Sequence, residues 1–108
     1  MHNDQIIKEG VDALKNKKLN EAEKIFKLLV TKYPTNSEIN HFLGITFQLL
    51  NKIHEATEYY KKAVELNPNF SEANKNLGNM YYRMGIIDKA EIYYKKALKL
   101  DPKLDEAK

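Results

Sequence analysis

The 108-residue chain contains no cysteine. That excludes disulfides, thiolate zinc sites, iron–sulfur clusters and cysteine nucleophiles. A single arginine, Arg83, stands beside 17 lysines. Phosphate and base recognition favour arginine, whose planar fork binds at two points, over the flexible point charge of lysine. Most of the lysines alternate with glutamates along helical faces, so the net charge of +3 reads as a solvated surface, and no nucleic-acid partner is expected. No apolar run approaches the ~18 residues that span a bilayer, so no membrane insertion is expected. Met1-His2-Asn3-Asp4-Gln5 has no basic segment leading into an apolar one. A secretory signal is therefore not readable, and the cytoplasm is the expected location.

Proline and glycine are scarce, and their placing is periodic. Pro34, Pro68 and Pro102, all the prolines present, lie 34 residues apart. Three of the four glycines (Gly10, Gly44, Gly78) keep that spacing, as do Ala22, Ala56 and Ala90. These are the residues whose backbone or size carries positional meaning, so one period through all three marks an internal repeat. Residues 37–68 and 71–102 share 14 identities in 32, whereas 3–34 and 37–68 share seven. The first copy is the divergent one. The chain is thus read as one domain over 1–108 with copies at 3–36, 37–70 and 71–104, and with 105–108 as the truncated start of a further helix.

Within each copy the apolar spacing is helical: Leu77, Tyr81 and Met84, then Ile87, Ala90, Tyr94, Ala97 and Leu98, recur at three- and four-residue steps. Two helices per copy are predicted, at 3–16 and 19–32, 37–50 and 53–66, 71–84 and 87–100. Ser37-Glu38 and Ser71-Glu72 read as helix starts, a hydroxyl cap followed by an acid. Asn51 and Gly85 suit the left-handed conformation that stops a helix, and the prolines block continuation after the second helix. Gly44 and Gly78, facing Ala56 and Ala90, let paired helices approach closely while Phe47, Tyr60, Tyr81 and Tyr94 fill the space beside them. A lone copy cannot bury both faces, so the copies stack.

On these residues the chain resembles the tetratricopeptide repeat family. Leu77-Gly78, Tyr81, Ala90, Tyr94, Ala97 and Pro102 match its pattern in the third copy, and Leu43-Gly44, Phe47, Ala56, Tyr60, Ala63 and Pro68 in the second. The first keeps Gly10, Ala22, Phe26 and Pro34 but departs at Glu9, Ala13 and Leu29, and the early aromatic slot holds Ile6, Asn40 and Asn74. The resemblance implies an all-α, right-handed superhelical solenoid of three helix-turn-helix hairpins. Its first helices would line a concave groove for a partner's peptide. The slots implied to face that groove are Asp4, Ile7, Lys8, Val11 and Lys15 in the first copy. They are Glu38, His41, Phe42, Ile45, Gln48 and Leu49 in the second, and Glu72, Lys75, Asn76, Asn79, Tyr82 and Arg83 in the third. The set runs from apolar to polar and basic.

The peptide-binding residues expected from this are Ile7, Val11, His41, Phe42, Ile45, Leu49, Lys75, Asn76, Asn79, Tyr82 and Arg83. Phe42 and Ile45 either face the groove or bury against the neighbouring first helix. The family's clamp for a C-terminal carboxylate would need Lys, Asn and Arg where this chain has Ile7, Val11, Phe42, Glu72 and Asn76, so only Asn76 suits it. Asn76 and Asn79 instead resemble the asparagine-lined grooves of the repeats attached to O-linked N-acetylglucosamine transferase. Such amides offer donor and acceptor together. A partner segment apolar at one end and acidic or amide-rich at the other is expected.

Catalysis is not expected. His54-Glu55-Ala56-Thr57-Glu58 lacks the second histidine of a zincin helix, His41 has no partner imidazole, and no Gly-rich phosphate loop or nucleophile–base pair stands out. No metal or cofactor is implied. Asn69-Phe70-Ser71, formally a glycosylation sequon, reads as a turn before a helix. The Tyr59-Tyr60 and Tyr93-Tyr94 pairs could stack bases, but one tyrosine of each fills a core slot of the resemblance. The leading reading is a protein–protein interaction scaffold. The alternatives are an accessory repeat region of a longer enzyme such as a transferase, and a helical-repeat nucleic-acid binder, against which the strict 34-residue period counts. A further expectation is a homo-oligomer through the C-terminal end, where Ala90, Tyr94, Ala97, Leu98 and Leu100 would lie partly bare.

Overall fold

The structure, a computed structural model, describes residues 2–104. Six helices run in sequence: α1 (His2–Lys15), α2 (Leu19–Lys32), α3 (Ser37–Leu49), α4 (Ile53–Leu66), α5 (Ser71–Arg83) and α6 (Ile87–Leu100). A 3₁₀ turn at Pro102–Leu104 follows. There is no strand among the described residues. The fold is an all-α helical-repeat solenoid in which α1 pairs with α2, α3 with α4 and α5 with α6, while α2 packs on α3 and α4 on α5. The expected continuation at 105–108 lies outside the described residues.

Pairing is close because the glycines leave room for rings. A Cβ on Gly10 would stand 2.5 Å from Cζ of Phe26, and one on Gly44 would stand 2.8 Å from Cδ1 and Cε1 of Tyr60. The core runs unbroken through the copies, from Ala22, Phe26 and Leu29 through Ile39, Leu43 and Tyr60 to Ala73, Leu77 and Met80. Tyr60 is fully buried, so the paired tyrosines separate by role. Tyr59 lies flat against Phe47 at 5.6 Å, as Tyr93 does against Tyr81 at 5.7 Å. Lys62 stands over the Tyr59 ring.

Each helical hairpin turns the same way. Asn51 (φ 63°) and Gly85 (φ 80°) adopt the left-handed conformation the sequence predicts, and so does Lys17 (φ 59°), where it gives no hint. In each turn the next residue's N–H reaches back five residues, from Lys18 to Ala13 O, Lys52 to Phe47 O and Ile86 to Tyr81 O, all at 2.8 Å. This closes the last helical turn in a Schellman arrangement.

The helix starts differ from expectation. Ser37 and Ser71 are the first helical residues rather than caps. The cap of α3 is Asn36, whose Oδ1 accepts from Ile39 N at 2.9 Å, and that of α5 is Phe70, which makes no side-chain bond. The early slot explains how these starts are held. Asn40 Nδ2 donates to Pro34 O (3.2 Å) and Asn36 O (2.8 Å). Asn74 Nδ2 donates to Pro68 O (3.2 Å) and Phe70 O (2.8 Å). Fully buried, each asparagine fastens the turn between copies to the helix that follows.

Candidate functional site

Burial along the first helices separates two faces. In α3, Ile39, Asn40, Leu43, Gly44, Thr46 and Phe47 are buried, while Glu38, Phe42, Ile45, Gln48 and Leu49 keep some exposure. The same register in α5 leaves Glu72, Lys75, Asn76, Asn79, Tyr82 and Arg83 accessible, and in α1 it leaves Ile7 and Val11 half-buried. A helical period of 3.6 thus collects the residues singled out from sequence on one stripe of each first helix. His41 is the exception.

The sequence reading turns His41 toward a ligand, but the structure buries it to 5% exposure. Its ring packs against Phe70 at 4.6 Å, Tyr60 at 5.6 Å and Phe42 at 6.0 Å. Nε2 lies 3.0 Å from Nδ2 of Asn76. An amide nitrogen only donates, so Nε2 is the unprotonated acceptor. Burial alone drives the imidazole down to about 4, which keeps it neutral. His41 therefore lies beneath the surface and acts on it through Asn76.

Phe42 and Ile45 fall between the two positions left open for them. Both are half-buried and pack on the core, Phe42 by stacking on Phe26 at 5.4 Å and 18°. Leu49 and Tyr82 are plainly exposed, at 53% and 61%. Arg83, exposed at the end of α5, donates from Nη2 to Asn51 Oδ1 at 3.3 Å, so the C-terminal ends of α3 and α5 lie together.

Two further contacts escape a reading of the sequence. The Tyr60 hydroxyl donates to Oε1 of Gln48 at 2.6 Å, and the Tyr94 hydroxyl donates to Oδ1 of Asn79. Both phenols start on second helices and end among the accessible side chains of the first. Burial holds both above the usual phenol range, with the Tyr82 phenol adding to the effect at Tyr94, so both stay protonated donors at neutral pH. The only sequence signal is the 16-residue offset from Gly44 to Tyr60 and from Gly78 to Tyr94, which carries each ring across the helix pair. Among the described residues no cluster of three or more histidine or acidic side chains could hold a metal ion. Nor, among the described residues, is any helix long and apolar enough to cross a membrane.

Two family models meet this arrangement: one described as tetratricopeptide repeat matches residues 71–104, and one described as TPR repeat matches 44–85. The chain belongs to the tetratricopeptide repeat family. No protein of curated function matches it. Among solved structures it is similar to the crystal structure of MamA, at 26% identity and a TM-score of 0.89, over 96% of this chain and 61% of that one. It is also similar to the first TPR of Spaghetti (RPAP3) bound to the HSP90 peptide SRMEEVD, at 22% identity and a TM-score of 0.89, over 94% and 81% of the two chains. A third is PcrH in complex with the chaperone binding region of PopD, at 21% identity and a TM-score of 0.87, over 92% and 74%. The TPR chain spans 56% of a MamA double mutant and 61% of the MamA crystal structure.

Proposed function

We propose that this TPR domain is a non-catalytic interaction module of the cytoplasm that binds a partner's peptide along the accessible stripe of α1, α3 and α5. Ile7, Val11, Phe42, Ile45 and Leu49 supply its apolar end, and Lys75, Asn76, Asn79, Tyr82 and Arg83 its polar end. The observation that carries this reading is the stripe itself. An exposed leucine and tyrosine share a face with amides already held by buried or half-buried partners, which suits recognition better than solvation. The Spaghetti domain bound to an HSP90 peptide and PcrH in complex with a region of PopD support it by analogy of fold.

Selection from a displayed peptide library, followed by calorimetry on the winning sequence, tests the reading. Leu49→Ala removes exposed apolar area without touching the core, and Asn76→Ala removes an amide. Each is expected to weaken binding by ~1–2 kcal/mol. Phe42 is a poorer probe because truncation would also undo its stack on Phe26. Unchanged affinity in both variants would place binding elsewhere.

Self-association belongs to the same proposal in a narrower form. Of the residues expected to lie bare, Ala90 and Ala97 are each 1% exposed and Tyr94 is half-buried, so most of that patch is closed within its own copy. Leu98 is 40% exposed where its counterpart Val64 is 8%. A second copy would cover Leu98 and Leu100. Light scattering should show a dimer that Leu98→Glu abolishes, and a monomer mass at several hundred micromolar would refute it.

A further inference from the structure

A side-chain amide free to rotate offers either its oxygen or its nitrogen to a ligand, and so selects little by itself. Gln48 and Asn79 are not free. Each has its oxygen engaged by a phenol hydroxyl from the second helix of its own copy. Turning either amide over would point N–H groups at the O–H and leave the phenol proton without an acceptor in a site that Tyr60, fully buried, cannot leave. The two phenols sit one period apart, but the amides they hold do not. Asn79 occupies the slot of Ile45, whereas Gln48 occupies that of Tyr82, three residues further along the helix. Two different positions on the first helix thus bring an amide oxygen to the corresponding phenol.

We propose that Tyr60 and Tyr94 are positioning residues that hold the Gln48 and Asn79 amides with their N–H groups outward, so that this face selects an acidic, acceptor-rich peptide. The inference rests on the peptide-binding reading above and names the partner's chemistry. The exposed neighbours agree with it. Arg83 adds a positive charge at the joined C-terminal ends of α3 and α5, and Leu49 and Tyr82 add apolar contact beside it. The opposing acids, Glu38 and Glu72, stand in the first turns of α3 and α5. From Glu72 to Arg83 is about 16 Å along the helix axis, beyond a Debye length at physiological salt. Acidic residues of the partner therefore lie over the ends of α3 and α5, away from Glu38 and Glu72.

The test uses two fluorescein-labelled, C-amidated nonapeptides, so that no terminal carboxylate takes part. They share a Leu-Ile core. One carries Asp and Glu at the remaining positions, and the other carries Lys there. Anisotropy titrations at physiological salt are expected to show the wild type binding the acidic peptide about tenfold or more tightly over the lysine one. Tyr94→Phe and Tyr60→Phe keep the rings but release the amides. Each should lower that ratio about threefold or more while leaving the thermal melt of Tyr94→Phe, whose ring is only half-buried, close to wild type. Should one variant fail to fold, the other decides. Equal binding of both peptides by the wild type leaves the peptide-binding reading standing and overturns this inference. An acidic preference that survives loss of either hydroxyl overturns the positioning role. Binding of neither peptide overturns the inference and the reading beneath it.

Discussion

Substituting alanine at Gly44 places a methyl group 2.8 Å from two carbons of the Tyr60 ring and 3.2 Å from a third. Ordinary contact begins near 3.4 Å, so the ring must move by more than half an ångström. It has little freedom to do so, being fully buried with its hydroxyl held at 2.6 Å by Gln48. Overpacking of this kind costs ~1–3 kcal/mol, and loosening the hydrogen bond adds ~1 kcal/mol. Against this, alanine in a helix interior gains ~1 kcal/mol over glycine. The balance is a loss of ~1–3 kcal/mol. Gly78→Ala is the control. Its Cβ meets Tyr94 at 3.0 and 3.1 Å and the Ala90 carbonyl at 3.2 Å, and Tyr94 is half-buried and able to yield. That change should fall within ~1 kcal/mol of wild type, because propensity offsets the crowding. Thermal melts followed by circular dichroism at one protein concentration read the difference at about 4–8 °C per kcal/mol. A Gly44→Ala protein as stable as wild type, or more stable than Gly78→Ala, would refute the view that ring packing on glycine sets the helix spacing.

Lys17→Gly should stabilise the fold by ~1 kcal/mol, since it relieves a left-handed conformation that a side chain disfavours; an unchanged urea midpoint would count against this. His41 should make stability depend on pH. Its folded-state value, about 4, lies below the ordinary 6.5, so the unfolded chain takes up a proton first as pH falls. Stability is whole above pH 6.5 and declines between 6.5 and 4, by ~3 kcal/mol at most. His41→Gln should flatten that decline between pH 7 and 5 in urea titrations, and an identical slope would exclude His41 as its source.

The sequence alone determined the period, the number of helices among the described residues and their ends to within one residue. Five of the six helices begin at the predicted residue, because proline, glycine and apolar spacing act within a few residues along the chain. It also collected the accessible stripe of the first helices, since a 3.6-residue period places those slots together wherever the fold leads. Tertiary structure decided which of those slots stay open. His41 shares its slot with Ile7 and Lys75, both half-buried, and is covered because Phe70, in the turn that ends its own copy, and Asn76, from the next copy, close over it. No periodicity encodes that contact between residues 35 positions apart. The orientation of the Gln48 and Asn79 amides is likewise settled by how far two phenols reach across a helix pair, and that reach depends on the glycines beneath the rings. Local propensity writes the helices, and the close packing of one helix on another decides what each presents to a partner.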